Sequence, residues 1–334
     1  MNRYVITAML ISFNCIAAWD DSKSDAIKNG ANVKFVLHVS DEQGVAISNA
    51  RVAYGFSNGY DKFNSVYGLT DSSGDLLIEG KCRFYVGYSV GKDGYYFSDG
   101  KIDYANSEVV PAVIDGEWQP YGNRYDVTLK RRTQPADMSM ITRMSIYKIP
   151  EYGKWLGFDF ERKDFCSPFG RGISDDILLR FAREAKDALN YKISMEVSFT
   201  NNPYAGFYEL EKDEASELKS VHFADTKSAY ARKAESYCYE TTANRIISNT
   251  KLPQSRYLVF RTRTKVDESG NLVSAHYGKI YAPWDFDEGM CFGRAFFNTT
   301  PNEPNLEDKE TFDASELRIR RMERNMKSRE SKAE

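Results

Sequence analysis

Apolar and polar residues alternate along the segment VKFVLHVSDEQG, which begins at Val33. Successive side chains of a β-strand point to opposite faces, so such a segment has one apolar face for a core. The residues of that face are Val33, Phe35, Leu37 and Val39. Asp41 and Glu42 open the turn DEQG and are interpreted as solvated turn residues rather than as ligands.

Similar segments recur through the first 130 residues or so. They are ISNARVAYGF, VYGLTDSSGDLLIEG, RFYVGYSVGKDGYYFSDGKIDY and RYDVTLKRR. Six or seven short strands, with a turn about every ten residues, are typical of an antiparallel sandwich. We therefore expect a first β-sandwich domain over residues 30–132.

A proline-containing segment, TQPADMSM, follows the last of these strands and predicts a linker at 133–142. A second β-rich domain is expected over 143–312, and its clearest hairpin is RYLVFRTRTKVDESGNLVSAHYGKIYAPW, with a turn at DESGN. Strict alternation in the first strand of this hairpin assigns one face to Tyr257, Val259, Arg261 and Arg263.

The segment ISDDILLRFAREAKDALNYKISMEVSF has two interpretations. Its apolar spacing fits a helix capped by Ser174, and it also fits a hairpin whose return strand runs from Lys192 to Phe199. We favour a strand, a long excursion and then a second strand.

The carboxyl-terminal segment, 313–334, is rich in Arg, Lys and Glu and has few apolar residues. Asp313 or Ser315 can cap a short helix there, and the rest is expected to be a solvated end. The patterns together predict an all-β protein of two antiparallel β-sandwich domains with a short charged C-terminal helix.

The succession DEQGVAISNARV, GLTDSSGDLLIEG and KDGYY resembles the carboxypeptidase regulatory-like domain over roughly residues 32–130. That resemblance implies an immunoglobulin-like or transthyretin-like sandwich of an exported bacterial protein, without zinc or catalytic residues. Val45 and Ala46 depart from it, since family members often have a proline there. The residues with an expected structural role are Gly44 and Gly74 in turns, Ala50 and Val52 in the core, and Thr70 and Asp71 at the second turn.

The segments SAHYGKIY and TPNEPNLEDK are similar to the C-terminal region of uncharacterised exported bacterial proteins that carry the same regulatory-like domain. This second resemblance implies no activity.

Residues 1–18 have the layout of a secretory signal peptide, with Arg3 before an apolar stretch and a plausible cleavage site after Ala17. The stretch is too short to span a bilayer, which takes about 20 apolar residues. We expect a periplasmic, cell-surface or secreted protein, and lipidation at Cys15 is the less favoured alternative. The other four cysteines permit either two disulfides or buried thiols: Cys82, Cys166, Cys238 and Cys291.

The chain has 45 basic and 48 acidic side chains, so no overall field attracts nucleic acid. Its three histidines, His38, His222 and His276, are far apart in sequence, and no GxSxG or GxxxxGK[ST] motif is present. No metal, cofactor or catalytic residue is therefore assigned. The short acidic turns DSSGD and DESGN are explained by turn chemistry without calcium.

Aromatic residues make up 14% of the chain, and the loop from Tyr60 to Tyr67 concentrates them. Exposed rings stack on sugars or pack on proteins, so Tyr60, Phe63 and Tyr67 are the candidate ligand-binding residues. The predicted function is an exported, non-catalytic module that docks protein or glycan. The alternatives are a surface-assembly protein and a hydrolase that uses the acids between 159 and 176: Asp159, Glu161, Asp164, Asp175 and Asp176.

Overall fold

The structure is a computed structural model that describes most of the chain. The described residues are 21–58, 65–142, 144–199, 204–211, 224–226, 230, 234–243, 245–249, 256–281, 284–286 and 289–333. The predicted signal peptide, Tyr60, Phe63 and His222 lie outside them. Within the described part, no helix is both long enough and apolar enough to cross a bilayer.

The first region of the chain is a helix followed by two β-sheets. The helix, α1 (Asp21–Asn29), contributes Ala26 to the core between the sheets. The strands are β1 (Ala31–Asp41), β2 (Arg51–Phe56), β3 (Val66–Leu69), β4 (Asp75–Cys82), β5 (Tyr85–Gly91), β6 (Ser98–Asp103), β7 (Val113–Ile114), β8 (Glu117–Trp118) and β9 (Asn123–Leu129). No helix was predicted at Asp21–Asn29.

One sheet of this first sandwich has the order β4-β1-β8-β7, with β9 also beside β1, and the other has the order β3-β2-β5-β6. Most pairs are antiparallel, as expected. The pairs of β1 with β8 and β9 are parallel. β1 and β9 are the first and last strands of the sandwich, so no hairpin forces them to be antiparallel.

The alternation in β1 correctly predicted its buried face. Phe35, Leu37 and Val39 are fully buried, and Val33 is nearly so. They pack with Val52 and with residues of β5 from the opposite sheet. A single core therefore lies between the two sheets of the first sandwich.

The turns have the chemistry that the sequence predicted. Gly44 and Gly74 both have a φ of +77°, and a Cβ on Gly74 would lie 2.5 Å from the carbonyl oxygen of Val39. The Thr70 hydroxyl donates to the carbonyl of Ile47 and accepts the N–H of Ala50. The Asp71 and Asp267 carboxylates accept N–H groups of their own turns, in DSSGD and DESGN.

Asp41 is not the solvated residue that the sequence predicted, although Glu42 is exposed. The exposed fraction of Asp41 is 6%, and its Oδ1 accepts the N–H groups of Gln43 and Val45 at 3.0 and 2.9 Å. Asp41 is buried because the N–H groups of this turn are not paired in the ladder of β1 and its carboxylate accepts them instead.

The second region contains eleven strands in two further sheets. They are β10 (Met138–Ile141), β11 (Trp155–Asp159), β12 (Asp164–Phe165), β13 (Ile177–Ala185), β14 (Tyr191–Ser198), β15 (Gly206–Glu211), β16 (Ala234–Thr242), β17 (Arg245–Asn249), β18 (Arg256–Val266), β19 (Leu272–Tyr281) and β20 (Arg294–Asn298). The two sheets have the orders β10-β20-β19-β18-β15 and β12-β11-β13-β14-β16-β17, and an aromatic-rich core lies between them.

The predicted hairpin of β18 and β19 is confirmed, but a bulge changes the faces of β18. The register shifts after Thr262, and Arg263 has a φ of +50°. Arg263 lies over Phe297 of the core, whereas Arg261 lies over Tyr230 in a cluster on the other side of the sheet. The prediction that Arg261 and Arg263 share a face is wrong, because an inserted residue reverses the alternation.

β13 and β14 form a hairpin with a short connection at 186–190. The return strand was predicted correctly, and the long excursion before it is wrong. The helical alternative is also wrong, because Leu179 and Phe181 are buried by alternation in a strand.

The C-terminal helix is longer than predicted. α2 (Lys309–Ala333) has 25 residues and packs against the first sandwich. Ile319 and Met322 are buried beside Phe97, and the Ser315 hydroxyl accepts the N–H of Phe97 at 2.5 Å. This contact supports the helix along its length and is invisible in the local charge pattern.

A fully buried ion pair fixes the start of α2. The Lys279 ammonium donates to the Asp308 carboxylate at 2.9 Å and to the carbonyl of Leu306 at 2.6 Å. Asp308 also accepts the N–H of Thr311 at 2.8 Å, so it is the N-cap of α2.

The linker is attached to the same segment through Glu307. The fully buried side-chain carboxylate of Glu307 accepts a hydrogen bond from the Thr133 hydroxyl at 2.5 Å. The backbone carbonyl of Glu307 accepts the N–H of Ala136. The linker and the start of α2 therefore form one hydrogen-bonded junction.

The four described cysteines are thiols, which settles the alternative that the sequence left open. Cys82 and Cys166 are buried, and burial raises the pKa of each thiol to about 12. Such thiols are poor nucleophiles.

Removal of the Asp308 carboxylate tests the junction. In Asp308→Ala, Lys279 stays buried without its counter-ion, and we expect the free energy of unfolding to fall by about 3–5 kcal/mol. Urea denaturation measures this loss. The control is Asp313→Ala, which removes an exposed pair with Lys309 and should cost less than about 1 kcal/mol. Equal losses in the two variants would contradict the role of Asp308.

Candidate functional site

Four charged side chains meet where the two sheets of the second region approach each other, and we call them the Arg263 cluster: Arg263, Asp159, Glu161 and Asp176. Arg263 donates from Nε and Nη2 to the two oxygens of Asp176, at 2.7 and 2.9 Å. It also donates to Asp159 at 2.9 Å and to Glu161. The bulge in β18 is what turns the guanidinium toward these acids.

Asp159 holds the loop that follows β11. Its Oδ1 accepts the N–H groups of Glu161 and Arg162, and its Oδ2 accepts those of Ile173 and Ser174, all between 2.9 and 3.0 Å. Both oxygens of this buried carboxylate are therefore occupied by the protein itself.

Asp176 joins the loop to the opposite sheet. Its carboxylate accepts the N–H of Phe160 at 2.9 Å, and its carbonyl accepts the hydroxyl of Thr262 at 3.0 Å. The side chain is completely buried.

The pKa values of Asp159 and Asp176 are shifted in opposite directions. Burial raises the pKa of Asp176 to about 6, although Arg263 and the Phe160 N–H favour the charged form. Burial alone would also raise the pKa of Asp159, but the backbone N–H groups and Arg263 outweigh it and hold that pKa below its ordinary value.

The Arg263 cluster favours a structural role over catalysis. A glycosidase needs one carboxyl group able to give a proton to the substrate and a second facing it. Asp159 and Asp176 instead direct their oxygens at Arg263 and at backbone N–H groups. The structure thus brings together three of the five acids named for the hydrolase alternative, and all three bind Arg263 of the facing sheet.

The other two acids of that set lie apart from Arg263. Asp164 accepts the N–H groups of Phe165 and Arg171. Asp175 lies against Gly157, where a Cβ would collide with its carboxylate.

The two described histidines lie in strands, as predicted. The Nδ1 of His38 lies 2.6 Å from the Oδ1 of Asp75 across the β1–β4 pair. The ring of His276 stacks on Phe297, and its Nδ1 lies 3.1 Å from the carbonyl oxygen of Asn298. Burial lowers the pKa of His276. No group of three or more His, Cys, Asp and Glu side chains could hold a metal ion in the described part of the chain.

A cavity of about 630 Å³ lies at the far end of the β13, β14 and β16 ladder, and we call it the strand-end cavity. It forms where β13 outruns the core: Phe181 is its last buried residue, and Ala182–Ala185 are all exposed. The lining residues are Arg183, Glu184, Ala185, Lys186, Asn190, Tyr191, Lys192, Glu240, Thr241 and Thr242.

The strand-end cavity combines one aromatic ring with alternating charges. The half-buried Tyr191 ring lies 6.0 Å from Tyr239, and the Arg183 guanidinium is 5.7 Å from its centroid. On the opposite face of the same strands, Lys192 pairs in register with Glu184 on one side and Glu240 on the other. The ring and Arg183 therefore share one face at the ends of these strands, and the row of alternating charges occupies the other face.

Tyr67 is the one described residue of the predicted aromatic patch. It lies on β3, partly buried, with the Arg329 guanidinium 5.1 Å from its ring. It borders a cavity of about 320 Å³ between the first sandwich and α2. The helix thus covers part of the face that the sequence left open for a ligand.

Sequence reasoning missed the strand-end cavity, although a signal was present. In ILLRFAREA the apolar alternation stops at Phe181 while the chain continues toward Tyr191. A strand whose alternation stops before its turn extends beyond the core.

No family model matches the chain, and no curated protein matches its sequence. The resemblance to the carboxypeptidase regulatory-like domain therefore stays a prediction.

Solved structures give only remote likenesses. Catechol 1,2-dioxygenase of Acinetobacter radioresistens is 15% identical over 34% of this chain and 56% of its own, with a TM-score of 0.26. 3-Chlorocatechol 1,2-dioxygenase of Rhodococcus opacus is 13% identical over 31% and 62%, with a TM-score of 0.24. A putative carbohydrate binding protein of Bacteroides uniformis is 7% identical over 81% and 98%, with a TM-score of 0.19. The match thus spans little more than half of the first dioxygenase, and scores this low carry no functional argument.

The pH dependence of stability tests the Arg263 cluster. Because the pKa of Asp176 is raised in the folded state, its contribution to stability is present at low pH and is lost as the pH rises through about 6. In Asp176→Asn this titration is absent. We expect the unfolding free energy of the wild type, minus that of the variant, to fall between about pH 4 and pH 7.

Urea denaturation across that range measures the difference. Asp159→Asn is the control, because a lowered pKa gives a contribution that is lost only below about pH 4, so its difference should be flat in the same window. A flat profile for Asp176→Asn would show that Asp176 is not perturbed in this way.

Proposed function

We propose that the chain is an exported bacterial module that binds a glycan at the strand-end cavity and catalyses no reaction on it. The observation that carries this proposal is a half-buried tyrosine ring with the Arg183 guanidinium against it, at a cavity whose lining also includes charged donors and acceptors. Sugars present hydroxyl groups around an apolar ring face, and such a site satisfies both.

The size and position of the cavity support the same function. Ligand cavities commonly measure about 300–1,000 Å³ and hold a few polar groups that fix orientation. Arg183, Lys192 and Glu240 supply charged donors and acceptors at the end of a hydrogen-bonded three-stranded ladder. A site on paired strands holds its side chains in place without first ordering a loop.

The proposal assigns no catalytic residue, because the candidate groups are already bound or protonated. The buried acids near β11 and β13 bind Arg263 and backbone N–H groups, and Cys166 is a thiol with a strongly raised pKa. The hydrolase alternative would need one of these groups to be released from its partners.

The first sandwich is proposed to be a carboxypeptidase regulatory-like domain of immunoglobulin type. Gly44, Gly74 and Thr70 at its turns, and Ala50 and Val52 in its core, support that proposal. Export rests on the layout of residues 1–18 and is tested by locating the mature amino terminus in fractionated cells.

Glycan binding is tested with the purified chain on a glycan array, followed by calorimetry with the strongest ligand. Arg183→Ala and Tyr191→Ala should each raise the dissociation constant at least about tenfold, which is about 1.4 kcal/mol. Arg183 is exposed, so its variant keeps the fold even if Tyr191→Ala is destabilised.

The matched control is Tyr121→Ala, which removes an exposed tyrosine from the first sandwich. It should leave the dissociation constant unchanged. The proposal fails if no glycan binds, or if all three variants bind with the affinity of the wild type.

A further inference from the structure

The helix α2 has two opposite faces with the same spacing. The face against the first sandwich carries Ser315, Ile319, Met322 and Met326. The opposite face carries Leu317, Arg321, Arg324 and Ser328, all exposed. Both sets advance by four, three and four residues, and a displacement of two residues is about 200° around a helix with 3.6 residues per turn. We call the second set, with its flanking cations, the outer face of α2.

This outer face is strongly basic. Between Glu316 and Arg329 there are six cations and two acids, a net charge of +4, in a chain whose net charge is −3. The cations are Arg318, Arg320, Arg321, Arg324, Lys327 and Arg329. Arg318 and Arg329 lie over Phe97 and Tyr67 of the first sandwich, and the other four cations recur on successive turns as a line of positive charge along the outer side of the helix.

The two acids of this stretch are held on the flank of the helix. Glu316 pairs with Arg320, and its carboxylate lies 3.7 Å from the guanidinium of Arg132, which ends the first domain. These two arginines keep the Glu316 carboxylate away from the outer face.

Glu323 is held in the same way, by Lys327 at 2.8 Å and by Arg51 of β2 at 3.6 Å. Arg321 and Arg324 are left without an ion pair to any described residue, at the centre of the basic line.

We propose that the outer face of α2 binds a linear acidic polysaccharide. Cations spaced along a line match a polymer with a charge on successive units, whereas a single small anion needs donors that converge on one point. Leu317 is 64% exposed beside the arginines and offers an apolar contact to a sugar ring.

Two other polyanions fit the helix less well. A membrane-binding helix buries an apolar face among lipids, but Ile319 and Met322 are already buried against the first sandwich. Duplex DNA is stiff, with a persistence length of about 50 nm, and a duplex along α2 would meet Asp93 and Asp99 beside the helix. A flexible chain can follow the basic line alone.

The test uses the full chain and sodium polygalacturonate, titrated by calorimetry at increasing salt. The wild type should bind, with an affinity that falls as salt rises. Arg321→Gln/Arg324→Gln should bind at least about fivefold more weakly and with a smaller salt dependence. Because neither arginine forms an ion pair with a described residue, the thermal midpoint should not change. Arg324→Gln alone should show a smaller loss of affinity in the same direction.

The matched control is Arg124→Gln/Arg171→Gln, which removes two exposed arginines elsewhere and changes the net charge equally. It should bind within about twofold of the wild type, whereas attraction that depended only on net charge would weaken equally in both double variants. An equal loss in the control overturns the assignment to α2. So does the absence of polygalacturonate binding at low salt.

Two further arms separate the partner classes and the two sites. Tighter binding to duplex DNA, or to phosphatidylglycerol vesicles, at the same salt overturns the polysaccharide. Arg183→Ala should leave polygalacturonate binding unchanged. A loss in that variant would place the polymer in the strand-end cavity, which overturns this inference and leaves the proposed function standing.

Discussion

The buried pair of Lys279 and Asp308 is the interaction on which the arrangement of the chain depends. Removing two charges from water is costly unless each finds its partners, and here Lys279 has a carboxylate and a carbonyl while Asp308 also caps α2. Because Glu307 next to it binds the linker through Thr133, the helix can start in only one place. From that origin α2 reaches the first sandwich, where Ile319 and Met322 are buried.

A second constraint, the bulge in β18, decides the fate of the acids around β11 and β13. Without the extra residue, Arg263 would lie on the side of Arg261 and Tyr230, and Asp159 and Asp176 would be buried without a cation. With it, one guanidinium satisfies three carboxylates and joins the two sheets. A group of acids that looks catalytic in the sequence is thus explained by the cost of burying charge, and the proposed ligand site lies elsewhere, at the ends of β13 and β14.

The sequence predicted what depends on neighbours along the chain. The buried face of β1, the Thr70 and Gly74 turn and the β18–β19 hairpin follow from alternation and turn chemistry. What it could not predict depends on residues far apart: the parallel pairing of β1 with β9, the face of Arg263 and the docking of α2 on Phe97. The strand-end cavity was partly predictable, because the end of the apolar alternation at Phe181 is visible in the sequence but the pairing of β14 with β16 beside it is not.

Net charge illustrates the same limit. The buried charged side chains of the described residues are five acids, Asp41, Asp159, Asp176, Glu307 and Asp308, and two cations, Arg261 and Lys279. Their formal sum, −3, equals the net charge of the whole chain, so all the remaining side chains sum to zero. The interior holds its acids because backbone N–H groups, Arg263 and Lys279 satisfy them, while the arginines of α2 remain outside. A net charge close to zero therefore excludes an overall electrostatic field but not a local basic surface, since a partner contacts only one part of the surface.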